Sequence, residues 1–184
     1  MTSHEGIPFL YVSCVRDGLI YWDRSACVSE PVYKLISKGR EPIPGSVLYT
    51  AVGSYGFAAL VTDDRPFSFQ RHIAILYPKP NELDPVFLTT WLNSSIGRKW
   101  SDILAVGNAQ KTVTLTALSK FPIVLPPFDE QLRIKELLEP ANNVIAANLQ
   151  KLRSLEVLKK SLMHDLLTGT VRVDPKLFKE EEQA

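Results

Sequence analysis

Two short polar loops carry the side chains best suited to chemistry in this chain. Gln70, Arg71 and His72 close the stretch FSFQRH beside two aromatic residues, and Asn108, Gln110 and Lys111 follow Gly107 in GNAQK. Amide and guanidinium groups are the ones that hydrogen-bond adenine and guanine edges in bidentate fashion. The same residues also suit ordinary loop duties, such as satisfying nearby backbone groups. Their types alone leave both readings open.

Reaction chemistry finds less support. His4, His72 and His164 are scattered, without the spacing of a metal site or a nucleophile–base pair. His164 falls near a helix C-terminus, where partial positive charge is favourable, which points to a structural role. GSYG (53–56) lacks the Lys and hydroxyl that a phosphate loop needs and reads as a hairpin turn. LPPF (125–128) departs from the Asn/Asp-Pro-Pro-Tyr/Phe motif of amino-methyltransferases where it matters, because Leu125 cannot hydrogen-bond a target amine. Asp63-Asp64 reads as a solvated turn. No catalytic constellation emerges, and no cofactor is expected.

Composition sets the frame for these loops. The 184 residues are 45% hydrophobic and 22% charged, enough apolar material for one globular core. No apolar run approaches the ~20 residues of a membrane span, and the N-terminus has neither the basic nor the apolar region of a signal peptide. Cys14 and Cys27 are too few for a disulfide scaffold, so the reading is a cytoplasmic protein with two thiols. Net charge is only +1, with 12 basic and 10 acidic side chains in residues 1–127. A nucleic-acid surface would therefore have to gather its positive charge locally.

The elements that must position the loops follow from punctuation and periodicity. IPFLYVS reads as a strand, RDG (16–18) as a turn and LIYW as the returning strand. Ser29 caps a short helix closed by Gly39, and EPIPG is a rigid elbow. SVLYTAV, GSYG and FAALVT form a β-hairpin, with Gly53 and Gly56 in the turn. The strand RHIAILYP follows. Asp84-Pro85 starts a helix through Leu92, and a second helical piece spans 95–104. Thr116 caps a one-turn helix, and FPIVL is the last strand.

Beyond it the pattern changes. From Leu138, steps of three and four reach Ala141, Ile145, Asn148, Leu152, Leu155, Lys159, Leu162 and Leu166, with Leu149 and Leu158 alongside. That spacing is a coiled-coil seam, not the face of a helix lying on a globular core. Pro140 suits the first turn of a helix, so DEQLRIKELLE is expected as a separate short helix joined by a kink. The long helix is then about 28 residues, roughly 40 Å, stopped by Gly169 and in need of a partner. The expected fold class is α/β (α+β): a globular domain over 1–127 with a mixed or antiparallel sheet, a coiled-coil arm over 128–170, and a charged, frayed tail over 171–184.

Taken together, GNAQKTVTLTALSKFPIVLPPFDEQLRI and KKSLMHDLLTGTVRV resemble the specificity (S) subunit of Type I restriction–modification enzymes. The matching features are the polar loop, the short helix, Pro-Pro-x-x-Glu-Gln (Pro126, Pro127, Glu130, Gln131) and the Leu-Leu-Thr-Gly ending of a spacer helix (Leu166 to Gly169). The hairpin and the strand around Gln70 are similar too, so the resemblance spans nearly the whole chain. The family's subunit carries two target-recognition domains and two spacer helices. This chain has one of each and lacks the usual Trp-containing opening, as expected of a half-subunit, a truncated product or a C-terminal piece.

The resemblance implies a non-catalytic module that binds double-stranded DNA. It also implies docking to a methyltransferase (M) subunit, which alone binds S-adenosylmethionine, and through it to a restriction (R) subunit. The recognition surface is then expected from the loops 53–56, 67–72 and 107–111 with Arg16, which adds Ser54 and Tyr55 to the residues above. Two copies are expected to pair antiparallel through Leu138, Ile145, Asn148, Leu149, Leu152, Leu155, Leu158, Leu162 and Leu166. The competing expectation is a coiled-coil assembly adaptor whose head binds protein instead of DNA.

Overall fold

Strand β5 (Val47–Thr50) is the centre of the head because all four of its residues are buried. It pairs antiparallel with β6 (Ala58–Leu60) on one side and β8 (Ile73–Leu76) on the other. Side chains alternate across a strand, so β5 faces two cores. Leu48, Ala59 and Ile73 pack with Leu10, Cys14, Val15, Phe67 and Phe69 on one face. On the other, Val47, Tyr49, Ala58 and Ala74 pack with Leu88, Leu92, Val113 and Leu118.

The computed structural model describes residues 6–173, so His4 and the tail from Asp174 lie outside the described residues. Earlier in the chain, β1 (Ile7–Leu10) pairs antiparallel with β4 (Ala26–Val28) and parallel with β7 (Ser68–Phe69). With that parallel pair the head is mixed α+β, in line with the sequence. The first hairpin is shorter than expected. It joins only β2 (Val15–Arg16) and β3 (Leu19–Ile20), turned at Asp17 (φ 50°) and Gly18 (φ 85°). IPFLYVS does not continue into this hairpin, because one 3-10 turn over Val12–Cys14 redirects the chain and buries Cys14 and Val15.

Helix α1 (Glu30–Ser37) starts after Ser29, whose side chain makes no capping bond. The caps of the next two helices are formed. Asp84 Oδ1 accepts from the Val86 and Phe87 N–H groups, both at 2.9 Å, and so opens α2 (Pro85–Asn93). Ser94 opens α3 (Ser95–Leu104) by accepting from the Gly97 N–H at 3.2 Å. Gly97 lets the two helices meet: a Cβ there would overlap the carbonyl oxygens of Trp91 and Leu92. Gly97→Ala should therefore lower stability by about 1–3 kcal/mol, the cost of an overpacked core, as thermal melting will show.

Three expectations are corrected further on. The one-turn helix α4 (Leu115–Leu118) is capped by Thr114, which accepts from the Ala117 N–H at 3.1 Å, not by Thr116. FPIVL forms no strand. Pro122, Pro126 and Pro127 have no N–H to donate to a ladder, and the segment packs instead through Phe121 and Ile123. Last, Pro140 does not divide two helices. Helix α5 runs unbroken over Phe128–Leu167, 40 residues with Pro140 inside, or roughly 60 Å at 1.5 Å per residue. The proline removes one hydrogen-bonded rung, and strong helix formers on both sides (Leu137, Leu138, Glu139 and Ala141) carry the helix past it. Gly169, at φ 71°, follows the end as expected.

Gln131, one of the motif residues, is 0% exposed. Its Oε1 accepts from the Asp84 N–H at 2.9 Å, and its Nε2 donates to the Glu82 and Pro126 carbonyls at 2.9 and 3.0 Å. Two compact units divide just beyond it, between Lys135 and Glu136. In the second unit Ile145, Leu152, Leu155, Leu158, Leu162 and Leu166 are exposed. Among the described residues no helix is long and apolar enough to cross a membrane.

Candidate nucleic-acid interface

Where β5 ends, its backbone is taken up by the two polar loops. The Ala51 N–H donates to the His72 carbonyl and the Val113 N–H to the Ala51 carbonyl, both at 2.8 Å. The Gly53 N–H then donates to the Lys111 carbonyl at 3.2 Å. The loop 107–111 is pinched shut by reciprocal bonds between Val106 and Thr112, at 2.8 and 2.9 Å. Gln110 reaches to the next turn, its Nε2 3.6 Å from where a Cβ on Gly53 would stand. Residues 51–53, 72 and 107–111, remote in sequence, thus meet at one end of the sheet β6–β5–β8.

The turn 70–72 is held from below. The Gln70 N–H donates to the Leu10 carbonyl at 2.8 Å and the Ile73 N–H to the Gln70 carbonyl at 2.9 Å. Arg71 is exposed at the tip, with Gln70 and His72 half-buried beside it. Arg40, which the sequence did not single out, lies 4.5 Å over the Phe69 ring beneath this turn. Asn108 and Lys111 are exposed on the pinched loop.

The 16–18 turn joins the same end, since the Gly18 N–H donates to the Ala58 carbonyl at 2.9 Å. It brings Arg16 over the ring of Phe57, 3.8 Å from the centroid, and Arg98 of α3 lies 3.6 Å from that centroid. Two guanidinium groups so close to one ring must take its opposite faces. Arg98 also donates to the Gly56 carbonyl at 2.8 Å, and the Tyr55 hydroxyl donates to Asp102 Oδ1 at 2.8 Å. Between them on α3, the buried Ser101 hydroxyl pairs with the Tyr49 hydroxyl at 2.9 Å. Arg16, Ser54, Tyr55, Phe57, Arg98 and Asp102 line a cavity of about 330 Å³ with Gly53 and Ser101.

Arg16, Ser54 and Tyr55 are thus brought together, with Gln110 and His72 adjoining through Gly53 and Ala51. Sequence reasoning missed Phe57, Arg98 and Asp102. The one signal for the last two was their spacing of four on a predicted helix, which puts them on one face. Arg16, Arg71, Arg98 and Lys111 outnumber Asp17 and Asp102 here, a local +2 on a chain whose total is only +1. Among the described residues, no group of three or more His, Cys, Asp or Glu side chains is placed to hold a metal ion.

Two phenols here titrate high. Burial pushes Tyr49 up, and the hydrogen bond to Asp102 does the same for Tyr55. A raised folded-state pKa gives stability that is complete below the ordinary phenol value of about 10 and is lost as pH climbs through the raised value. Ultraviolet titration should show both phenols ionising later than free tyrosine, with stability falling at alkaline pH. Removing the Asp102 carboxylate should return Tyr55 toward the ordinary value and leave Tyr49 high.

The family model of the Type I restriction modification DNA specificity domain matches residues 29–157. The chain is 25% identical over 173 residues to the Type I restriction enzyme MjaVIII specificity subunit of Methanocaldococcus jannaschii, covering 92% of this chain and 41% of that protein. Against the EcoBI specificity subunit of Escherichia coli, identity is 24% over 169 residues, 90% of this chain and 35% of that one. The crystal structure of the HsdS subunit from Thermoanaerobacter tengcongensis shares the fold, with a TM-score of 0.54 at 17% identity over 92% of this chain and 45% of that one. The chain thus spans roughly two fifths of the length of the curated relatives it matches. With most of its length under the family model, this chain belongs to the family of Type I restriction–modification DNA specificity domains.

Proposed function

We propose that this chain serves as a DNA-specificity module of a Type I restriction–modification system, reading double-stranded DNA and directing a methyltransferase subunit, and through it a restriction subunit, to a bipartite site. It carries no catalysis itself. The observation behind this reading is the meeting of loops 53–56, 70–72 and 107–111 with Arg16 at one sheet end. There, charge and base-reading groups concentrate on a chain of near-zero net charge. Arg16, Ser54, Tyr55, Gln70, Arg71, His72, Asn108, Gln110 and Lys111 form the DNA-facing set. Residues 1–127 serve as the recognition head, and 128–170 as the arm for dimerisation and methyltransferase docking.

The exposed strip on α5 supports the second half of the reading. From Leu138 to Leu166 it extends roughly 42 Å at 1.5 Å per residue, an apolar surface that a monomer seldom leaves bare. Two copies paired antiparallel cover it and put one head at each end. Asn148 near the middle meets its symmetry mate and fixes the register. A two-fold dimer presents the same head twice, so the target is a palindrome interrupted by a short spacer, with half-sites about one DNA turn, some 34 Å, apart.

Co-expression of the chain with the methyltransferase subunit of its own system, followed by mapping of methylated sequences, tests this directly. An interrupted palindrome is the expected result; an asymmetric motif would mean pairing with a different half. Duplex binding should fall steeply with salt as phosphate contacts release counterions. Alanine at Gln70, Arg71, Gln110 and Lys111 together should weaken binding and blur the motif. If the chain binds no duplex DNA yet still captures the methyltransferase, it is an assembly adaptor.

A further inference from the structure

We propose that Arg98 and Asp102 read a single G·C base pair in the major groove, with Arg98 on guanine and Asp102 on cytosine; this rests on the DNA-reading function above. The two side chains stand one turn apart on the same face of α3, about 5–6 Å between neighbouring Cβ atoms. One is a donor fork and the other an acceptor. Along its major-groove edge a G·C pair offers two acceptors, N7 and O6 of guanine, followed by the N4 donor of cytosine. The two sets are complementary in kind and in order.

A carboxylate on a surface that approaches phosphates is a liability unless it accepts a hydrogen bond from a base. Asp102 is exposed and faces the same cavity as Arg16 and Arg98, and with Oδ1 taken by the Tyr55 hydroxyl its other oxygen is left to accept from a base. An A·T pair in the same orientation would set Arg98 against the adenine N6 donor and Asp102 against the thymine O4 acceptor. The reversed T·A pair leaves the fork only one acceptor, beside a methyl group.

Both groups are held in place by the chain itself. Arg98 is fixed by the Phe57 ring at 3.6 Å and the Gly56 carbonyl at 2.8 Å, while the Tyr55 hydroxyl holds one oxygen of Asp102 at 2.8 Å. Each is engaged by a different partner, so the donor and the acceptor do not spend themselves on one another. Ser101 lies between them, bonded to the Tyr49 hydroxyl and the Gly97 carbonyl, both at 2.9 Å, and it ties this face of the helix to the central strand. Phe57 and Tyr55 are accordingly positioning residues.

The test maps methylation motifs directed by the full chain co-expressed with its methyltransferase subunit, comparing the parent with Arg98→Ala, Asp102→Ala, Asp102→Asn and Tyr55→Phe. The parent motif should contain an invariant G·C pair in each half-site. Both alanine variants should relax that same position by about 5- to 160-fold, the size of one lost base-reading pair of about 1–3 kcal/mol, and leave the other positions fixed. Asp102→Asn keeps the volume and one acceptor oxygen but adds a donor, so it should weaken the cytosine preference less than alanine does, with Arg98 still opposing the adenine N6 donor of an A·T pair. Tyr55→Phe should relax the same position less. Should Arg98→Ala fail to fold, the two Asp102 variants decide. Unchanged motifs, relaxation at two different positions, or relaxation at an A·T pair would overturn the assignment while leaving the proposed function intact. Loss of all directed methylation in the parent would instead overturn the function.

Discussion

Replacing Gln131 with leucine should lower the stability of the head by about 3 kcal/mol, the sum of the penalties for stranding one buried N–H and two partly buried carbonyls. The side chain is fully buried, and its amide oxygen accepts from the Asp84 N–H at 2.9 Å. Asp84 in turn caps α2 with its carboxylate, so the loss falls where α2, the segment after Pro126 and the start of α5 meet. For a chain of this size, about 3 kcal/mol corresponds to a melting temperature lower by roughly 6–12 °C. Glu130→Ala, at the exposed neighbouring position, should stay within about 0.5 kcal/mol of the parent. Amide exchange at Asp84 should accelerate in the leucine variant alone. An unchanged melting temperature would show that this amide does not hold the junction.

A chain carrying Leu155→Glu and Leu162→Glu should be monomeric at concentrations where the parent is dimeric, and it should direct no methylation. In the two-fold dimer proposed above every substitution counts twice, so four leucines leave the interface. At about 1.5–3 kcal/mol for each buried leucine, the loss is about 6–12 kcal/mol. A micromolar dimer is held by only about 8 kcal/mol. Both positions are exposed on α5 in the single chain, well beyond Lys135, so the head should melt as before. Light scattering and a melting curve on the same sample separate dissociation from unfolding. A dimeric mass would place the contact elsewhere.

What could be foreseen from sequence was local. The β5–β6 hairpin and α2 announce themselves through glycines at the turn and Asp84-Pro85 at the start, and α3 is expected over 95–104. The seam on α5 is legible as periodicity. The misreadings arise where a neighbour far along the chain, or a proline's particular setting, decides. FPIVL has the apolar content of a strand, but Pro122 within it and Pro126 and Pro127 just after it deny it a ladder. Pro140 has the look of a helix start, yet one missing rung does not end a helix with good formers on both sides. The pairing of β1 with β7, about sixty residues away, has no local signature. Nor does the stacking of Arg16 and Arg98 on Phe57, three residues far apart along the chain. Gln131 was visible as part of a motif, but its burial and its three hydrogen bonds belong to the tertiary structure.

The side chain of Asn93 at the end of α2 accepts from the Ala58 N–H and donates to the Ala58 carbonyl, both at 3.0 Å. Ala58 opens β6, an outer strand of its sheet, and outer strands template the addition of foreign strands through unpaired peptide groups. The Asn93 amide fills those groups as another strand's peptide unit would, with a donor and an acceptor side by side. The Gly18 N–H takes the same carbonyl at 2.9 Å. Ala58 is itself fully buried, so Asn93 finishes this edge from within the chain. With leucine there the buried Ala58 N–H would lose its acceptor while the Gly18 N–H still held the carbonyl, and the outer strand should exchange its amide hydrogens sooner than the rest of the sheet.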